Sequence, residues 1–408
     1  MARAFDTHSA EAIAAIFNFP IDPLSEGRIF LPKKHGGLGL TRYTGMSTEK
    51  GQIIERLVEA AFTAQHHPTR MQQPLHNYNI ADIRLGRYEG VEGYTGLTEN
   101  DYETMEPATA KAILSRGQAR GEAELAIRAH WQLGQFEDKR QRAAWFLSAC
   151  DTSTKYMSSN IGINSRPDRY FAPDVFRLAG RALLGIGPTN EPEHTQKVCR
   201  CRMVYTVGEE PFHAHSCNSN KGLRTLRHNA IVKCLEQLCM ARYKAPPGGV
   251  VAGVQGLIAG VQVMREAEVG TKADNSAVIA DVVVTVHGVR QVMDVLVIDM
   301  GAKGYLQGPP GTNPAFTVDA AARKGEMKKI RHYSGVVHPA RIPEAYVVPF
   351  VLEATGRLGP RALHFIREMT GPRTALRSRF IGQVSRICAL FTGLMLQATR
   401  DRYLPLPG

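Results

Sequence analysis

Residues 277–298 read AVIADVVVTVHGVRQVMDVLVI, and this stretch decides the fold. Two runs rich in valine and isoleucine, residues 277–286 and 292–298, flank the pentapeptide HGVRQ. β-Branched residues favour strands, and a short segment containing glycine between two such runs is typical of a hairpin turn. The stretch therefore predicts a β-hairpin.

Each run of the predicted hairpin carries one aspartate in apolar surroundings, Asp281 and Asp294. An ionised carboxylate is costly to bury unless it is paired or holds a metal. A type II′ turn at Gly288 and Val289 would set Asp281 opposite Leu296 and make the aspartates diagonal neighbours on one face. Such a pair could share Mg²⁺; alternatively, both charges face water at a sheet edge.

A predicted helix over residues 318–333 follows the hairpin and carries Lys324, Lys328 and Lys329. A nuclease needs positive charge near the phosphate oxygens, and these lysines are the candidates. Lys324 and Lys328 are four residues apart and share a helix face. The alternative is a solvated, lysine-rich surface.

Another predicted helix, residues 226–243, begins with Arg227 and His228. His228 and Glu236 lie along one side of this helix. Glu236 could add a third carboxylate to the metal site, although a single glutamate is more often exposed.

Cysteine and histidine are concentrated between residues 199 and 217, where Cys199 and Cys201 precede His213 and Cys217. Thiolates and imidazoles are the preferred ligands of zinc, and four of them close a structural site. This spacing predicts a small zinc-binding module. The alternative is a chance grouping of residues in a reduced core, and His215 competes with His213 as the fourth ligand.

The composition of the 408 residues narrows the class of protein. The apolar fraction of 43% excludes a disordered chain, and a net charge of +12 favours a polyanionic partner. Residues 315–408 hold 15 basic and 6 acidic residues, so most of the excess charge lies there. Seven cysteines without a disulfide pattern, no apolar leader and no apolar run of about 20 residues indicate an intracellular protein outside the membrane.

The order of these motifs resembles the carboxy-terminal region of non-long-terminal-repeat retrotransposon polyproteins. In that family a zinc knuckle precedes a restriction-enzyme-like endonuclease of the PD-(D/E)XK class. The resemblance rests on the Cys/His motif at 199–217, RHN at 227–229, the aspartates at 281 and 294, KK-x3-Y at 328–333 and ATGRLG at 354–359. Residues 31–40 resemble the segment that closes the reverse-transcriptase portion, and residues 145–147 and 176–185 resemble the connecting region.

The resemblance implies an α/β fold: a helical amino-terminal region, a zinc knuckle, then a small PD-(D/E)XK-like mixed sheet flanked by helices. It implies five segments: a reverse-transcriptase remnant (1–45), a helical connecting region (46–195), the knuckle (196–225), the endonuclease (226–360) and a basic helical tail (361–408).

The resemblance also implies the chemistry. Asp281 and Asp294 would hold a catalytic Mg²⁺, Lys328 or a neighbour would be the catalytic lysine, and Glu236 would assist. Cys199, Cys201, His213 and Cys217 would bind structural zinc, and Arg227, His228, Lys324 and Lys329 would contact nucleic acid. A nuclear protein would then nick target DNA to prime reverse transcription, with DNA and the element's RNA as partners.

Several positions depart from the family pattern. Ala280 replaces the usual proline before the first aspartate, and Arg202 stands where glycine often follows the cysteine pair. Val295 and Leu296 follow Asp294, so the local Asp-x-Lys lysine is absent, and the chain has no Tyr/Phe-x-Asp-Asp polymerase pair. Two alternatives therefore stay open: a catalytically inactive, zinc-containing nucleic-acid-binding remnant, and an unrelated metabolic enzyme.

Overall fold

The computed structural model describes residues 2–30, 38, 40, 171–192, 194–244, 258, 260–299, 319–338, 342–401 and 403–404. Most of the helical connecting region predicted at residues 46–195 lies outside these residues. In chain order the elements are α1 (Ala2–Phe17), α2 (Pro23–Phe30), α3 (Pro173–Leu183), β1 (Gln196–Cys199), β2 (Val204–Thr206), α4 (Glu210–Ser216), α5 (Lys221–Arg242), β3 (Val261–Lys272), β4 (Ala277–Val286), β5 (Val289–Ile298), α6 (Ala320–Ser334), β6 (Val336–His338), β7 (Val347–Glu353), α7 (Pro360–Thr370), α8 (Thr374–Arg400) and β8 (Tyr403–Leu404).

The chain divides into two compact units. The first unit comprises residues 1–16, 21–32 and 39–132 and holds most of α1 and α2. Every element from α3 onward belongs to the second unit, which contains all the predicted site residues.

A five-stranded mixed sheet forms the centre of the second unit, in the order β6-β3-β4-β5-β7. Its strands pair antiparallel except β5 and β7, which are parallel. Helix α6 lies in the connection between these two strands, as a parallel pair requires. The predicted mixed α/β architecture is therefore confirmed.

The turn of the β4–β5 hairpin differs from the prediction. His287 and Gly288 form the turn with φ of 47° and 85°, and Val286 pairs with Val289. Two consecutive residues with positive φ are typical of a type I′ turn, whose twist matches that of the strands. Strand β5 consequently begins three residues earlier than predicted, and the type II′ register was wrong.

The corrected register changes the relation between the two aspartates. Val282 pairs with Met293, so one further step along the ladder sets Asp281 directly opposite Asp294. Directly opposed residues lie closer together than the predicted diagonal neighbours.

Helices cover both faces of the sheet. One apolar core joins α5, α7 and α8 to one face, and its fully buried residues include Leu235, Val284, Phe365 and Val384. A second core joins α6 to the other face through Val283, Val292, Ile330 and Tyr333. Because the strands are covered on both sides, they carry the nearly continuous valine and isoleucine runs that identified them.

Two helices join parts of the second unit that were predicted to be separate segments. Helix α5 is continuous from Lys221 to Arg242, so it crosses the boundary expected between residues 225 and 226. The carboxy-terminal region is helical as predicted, but Phe380, Val384 and Cys388 of α8 are buried in the main core. Helix α8 is the one described helix that is long and apolar enough to cross a membrane, and more than half of its apolar stretch is buried in the protein.

Candidate functional site

Cys199, Cys201, His213 and Cys217 converge as predicted and are called the Cys3His cluster below. All four ligand atoms lie within 4.8 Å of one another. Strand β1 ends at Cys199, the β1–β2 turn carries Cys201, and α4 carries His213 and ends at Ser216, just before Cys217. Within the described part of the chain, this is the one group of three or more His, Cys, Asp or Glu side chains that could hold a metal ion.

The spacing of the ligand atoms fits a tetrahedral ion. Cys199 Sγ lies 3.7 Å from Cys217 Sγ, and Cys201 Sγ lies 3.6 Å from His213 Nε2. A zinc tetrahedron with bonds of about 2.3 Å to sulfur and about 2.0–2.1 Å to nitrogen has edges of about 3.5–3.8 Å. A disulfide would need sulfurs about 2.05 Å apart. The cluster can therefore bind a metal such as zinc.

Neighbouring groups orient the ligands. The ring of Tyr205 stacks on that of His213, with centroids 4.4 Å apart. Burial lowers the pKa of His213 and favours the neutral imidazole that binds metals. Burial would raise the pKa of Cys217, but hydrogen bonds with Ser219, Cys199 and Cys201 together lower it below its ordinary value. Such outer contacts are characteristic of built metal sites.

Arg202 has a left-handed backbone conformation in the turn that carries Cys201. It follows Cys201 in the β1–β2 turn with φ of 67°, and its N–H donates to the carbonyl of Cys199 over 2.7 Å. Glycine adopts this left-handed conformation without strain. Glycine would therefore suit this position, because the turn requires a positive φ here.

Two arginines of α5 attach this helix to the Cys3His cluster. Arg224 donates to the carbonyls of His215 and Cys217 over 3.2 and 2.7 Å, and Arg227 lies 3.4 Å from His215 Nδ1. Arg227 is only 4% exposed. The burial of the guanidinium against His215 argues against its predicted contact with nucleic acid, which stays a prediction. The pKa of His215 falls to about 3 through burial and the two arginines, so His215 is neutral.

Asp281 and Asp294, the carboxylate pair, form the second candidate site. Each carboxyl group influences the pKa of the other. The side chain of Asp294 is 8% exposed, whereas that of Asp281 retains 19% exposure. The edge-charge alternative is therefore excluded, since β4 and β5 are central and Asp294 is buried.

Helix α6 supplies the partners of Asp294. The ammonium of Lys329 lies 2.6 Å from Oδ1, and the hydroxyl of Tyr333 donates to Oδ2 over 2.9 Å. Lys329 and Tyr333 are four residues apart and so share one helix face. Tyr333 is fully buried and packs in the second core, which fixes the position of its hydroxyl.

Different elements hold Asp281. Its Oδ2 accepts a hydrogen bond from the backbone N–H of Val295 over 2.6 Å and lies 3.2 Å from His228 Nε2 on α5. On the other side, Glu266 of β3 has φ of 51° and falls in the ladder step opposite Asp281. This distortion interrupts the regular pairing of β3 with β4 beside the carboxylate of Asp281. Irregularities of this kind are common in strands next to functional sites.

The two carboxyl groups titrate differently. Burial raises the pKa of Asp294 to about 6, although Lys329 opposes the rise and Asp281 adds to it. Burial is also the largest single effect on Asp281 and would raise its pKa, but the hydrogen bond and charge of His228 and the hydrogen bonds from the N–H of Val295 and from Asp294 together lower the pKa below its ordinary value. The hydrogen bond to Asp281 in turn raises the pKa of His228. Neighbouring acidic groups whose pKa values shift in opposite directions are typical of sites that bind cations or move protons.

The remaining predicted residues fall in different places. Lys328, our preferred catalytic lysine, is exposed on α6, and Lys329 reaches the carboxylate pair instead. Lys324 is exposed on the same helix. Glu236 lies 4.0 Å from Arg265 of β3, and no described contact joins it to the carboxylate pair.

Sequence reasoning missed two parts of the site. It placed His228 against nucleic acid rather than against Asp281, and it assigned no role to Tyr333. The spacing of four between Lys329 and Tyr333 was the available signal, because it sets both side chains on one face. Nothing in the sequence predicted the contact of His228 with Asp281, because that contact joins residues 53 apart.

Comparison with known proteins assigns the chain to no family. No protein-family model matches the chain, and no curated protein matches it. The function is therefore inferred from the geometry of the two sites.

Proposed function

We propose that this protein is a metal-dependent DNA endonuclease of the PD-(D/E)XK type, derived from a retrotransposon, with a zinc-stabilised knuckle beside the nuclease domain. One observation carries the proposal: an aspartate pair on adjacent central strands of a mixed sheet, with a lysine 2.6 Å from one carboxylate. The basic character of the chain suits a DNA substrate.

The carboxylate pair suits Mg²⁺. Burial, with a smaller contribution from repulsion by Asp281, raises the pKa of Asp294 to about 6. A hard divalent cation with oxygen ligands would relieve that repulsion. When bound, such a cation supplies an activated water and charge stabilisation at the phosphodiester.

Residues of the chain itself would hold the two carboxylates in place and supply positive charge beside them. Tyr333 and the N–H of Val295 fix the two carboxylates, each through one oxygen. Lys329 places positive charge beside Asp294, and an ammonium has three N–H donors, so it can also orient a water or a phosphate oxygen. His228 holds Asp281 from the opposite helix.

The Cys3His cluster has a structural part in this proposal. A four-ligand zinc site has no open position for substrate. Through Arg224 and Arg227, zinc would hold the first turns of α5 and thereby His228.

A nicking assay on supercoiled plasmid with Mg²⁺ tests the proposal. We expect wild-type protein to convert supercoiled DNA to open circles, and Asp281→Ala and Asp294→Ala to abolish conversion. Glu268→Gln is the control, because Glu268 is an exposed acid on the same sheet. Binding of DNA by the wild type without any nicking would contradict the proposal and favour the inactive nucleic-acid-binding remnant.

A further inference from the structure

We propose that Lys272 and His332 form a second phosphate-binding position beside the carboxylate pair, which holds the DNA backbone next to the scissile phosphate. This inference rests on the proposed nuclease function. It assigns these two residues, called the basic pair below, to positioning of the substrate rather than to the chemical step.

The basic pair joins the end of β3 to α6. Lys272 is the last residue of β3, and its ammonium lies 3.5 Å from His332 Nδ1. His332 follows Lys329 by three residues, so both side chains project from neighbouring positions on one side of α6. His332 also packs its ring edge-on against Tyr333, with centroids 5.2 Å apart. The basic pair is therefore continuous with the residues that hold Asp294.

The contact between the two side chains fixes the tautomer of His332. An ammonium has donors only, so Nδ1 must be the acceptor and the proton of the neutral ring lies on Nε2. Burial lowers the pKa of His332, and Lys272 and Lys329 lower it further. The pair thus offers one full positive charge and one neutral N–H donor, both suited to phosphate oxygens.

The acids near the basic pair have other partners. Asp274, two residues beyond Lys272, accepts hydrogen bonds from the hydroxyl and backbone N–H of Ser276 over 2.6 and 3.0 Å. Asp294 is engaged by Lys329 and Tyr333.

The spacing suits consecutive phosphates of one DNA strand. Side chains three apart on a helix are separated by about 5–6 Å. Phosphates of one strand are spaced about 3.4 Å along the duplex axis and farther apart along the curved backbone. Lys329 can therefore contact the scissile phosphate while His332 and Lys272 contact the neighbouring phosphate of the same strand.

Equilibrium binding of a fluorescent 20-base-pair duplex without Mg²⁺, at several salt concentrations, tests the inference. We expect Lys272→Ala and His332→Ala each to weaken binding by about fivefold to tenfold. The slope of log affinity against log salt should fall by about 0.9 for Lys272→Ala, which removes a charge. It should not change for His332→Ala, which removes a neutral donor.

Controls separate this position from general surface charge. Lys233→Ala removes an exposed charge from α5 and should leave affinity and slope unchanged. Lys272→Arg and His332→Gln keep a donor and should restore most of the affinity. Unchanged binding by both alanine variants would overturn the inference.

Nicking kinetics distinguish failure of this inference from failure of the nuclease proposal. If the wild type nicks DNA, the alanine variants should raise the half-saturating DNA concentration while the rate at saturation changes little. An equal loss of rate at saturation would overturn a positioning role. If the wild type binds DNA but does not nick it, the nuclease proposal fails, and the binding slopes still decide whether the basic pair holds phosphate.

Discussion

Lys329 and Asp294 form an ion pair of 2.6 Å between α6 and β5, whereas the adjacent Lys328 faces solvent. The two lysines are neighbours in sequence and identical in chemistry. Helix geometry separates them by about 100°, so only one can face the sheet. Their different placement gives a matched pair of variants.

We expect Lys329→Met to lower the single-turnover nicking rate by about 10²–10³-fold, in line with the loss of one preorganised electrostatic contact. Lys328→Met should stay close to the wild-type rate, because its ammonium has no described contact with the carboxylate pair. Equal losses in the two variants would show that positive charge on α6, rather than the contact with Asp294, determines the rate.

The raised pKa of Asp294 predicts how stability depends on pH. The folded-state pKa is about 6, above the unfolded value of about 3.9. Its contribution to stability is therefore fully present below about pH 4 and is lost as pH rises through about 6. A difference of one between the folded and unfolded pKa corresponds to about 1.4 kcal/mol, so the contribution has an upper limit of about 3 kcal/mol.

Asp294→Asn should therefore be more stable than the wild type at pH 8 without added divalent cation, and the difference should shrink towards pH 4. Urea unfolding at several pH values measures it. Asp274→Asn is the control, because Asp274 is fully exposed and its pKa is lowered instead. Parallel pH profiles for Asp294→Asn and the wild type would contradict the pKa assignment.

The sequence predicted the two central strands and the aspartates, because short runs rich in β-branched residues with a glycine-containing segment between them favour a hairpin of buried strands. It failed at the turn, because Gly288 suits the first position of one turn type and the second of another. Strand β3 was also missed. Its sequence, VQVMREAEVGTK, mixes charged residues with a glycine, and it is a strand through its long pairing with β4.

The candidate metal ligands of the Cys3His cluster were predictable because their ligand chemistry is local and distinctive. The lysine was not, since α6 offers Lys328 and Lys329 on different faces and the helix rotation depends on the burial of Ile330 and Tyr333. The sequence also could not show that Arg227 is buried, because its position follows from how α5 packs against the segment that carries the Cys3His cluster.

The Cys3His cluster predicts one bound zinc per chain. Cys199→Ser combined with Cys217→Ser should remove it and lower the thermal midpoint, because the zinc would join β1 to the end of α4. Cys234→Ser is the matched control, since Cys234 is a free cysteine outside the cluster. Metal analysis by mass spectrometry is the measurement; unchanged zinc in the double variant would refute the site.

Arg227 predicts an effect on stability where the sequence alone predicted an effect on binding. Arg227→Leu should destabilise the protein by about 1–3 kcal/mol, the cost typical of breaking a buried hydrogen-bonding contact. Lys221→Ala, an exposed change in the first turn of α5, should have little effect. Below its unfolding temperature, Arg227→Leu should retain the wild-type dependence of DNA affinity on salt. A slope reduced by about 0.9 would instead mean that Arg227 contacts a phosphate.

Arg202 predicts a substitution that stabilises the turn beside the Cys3His cluster. A residue with a side chain in the left-handed region is strained by about 1–2 kcal/mol, whereas glycine there costs about 0.5–1 kcal/mol in unfolded-state entropy. Arg202→Gly should therefore raise stability by up to about 1 kcal/mol and leave the zinc content unchanged. Asn275→Gly is the comparison, because Asn275 has a similar φ of 61° but asparagine tolerates it better, so the gain should be smaller. Destabilisation by Arg202→Gly alone would show that the arginine side chain, rather than the turn backbone, is what the module needs at this position.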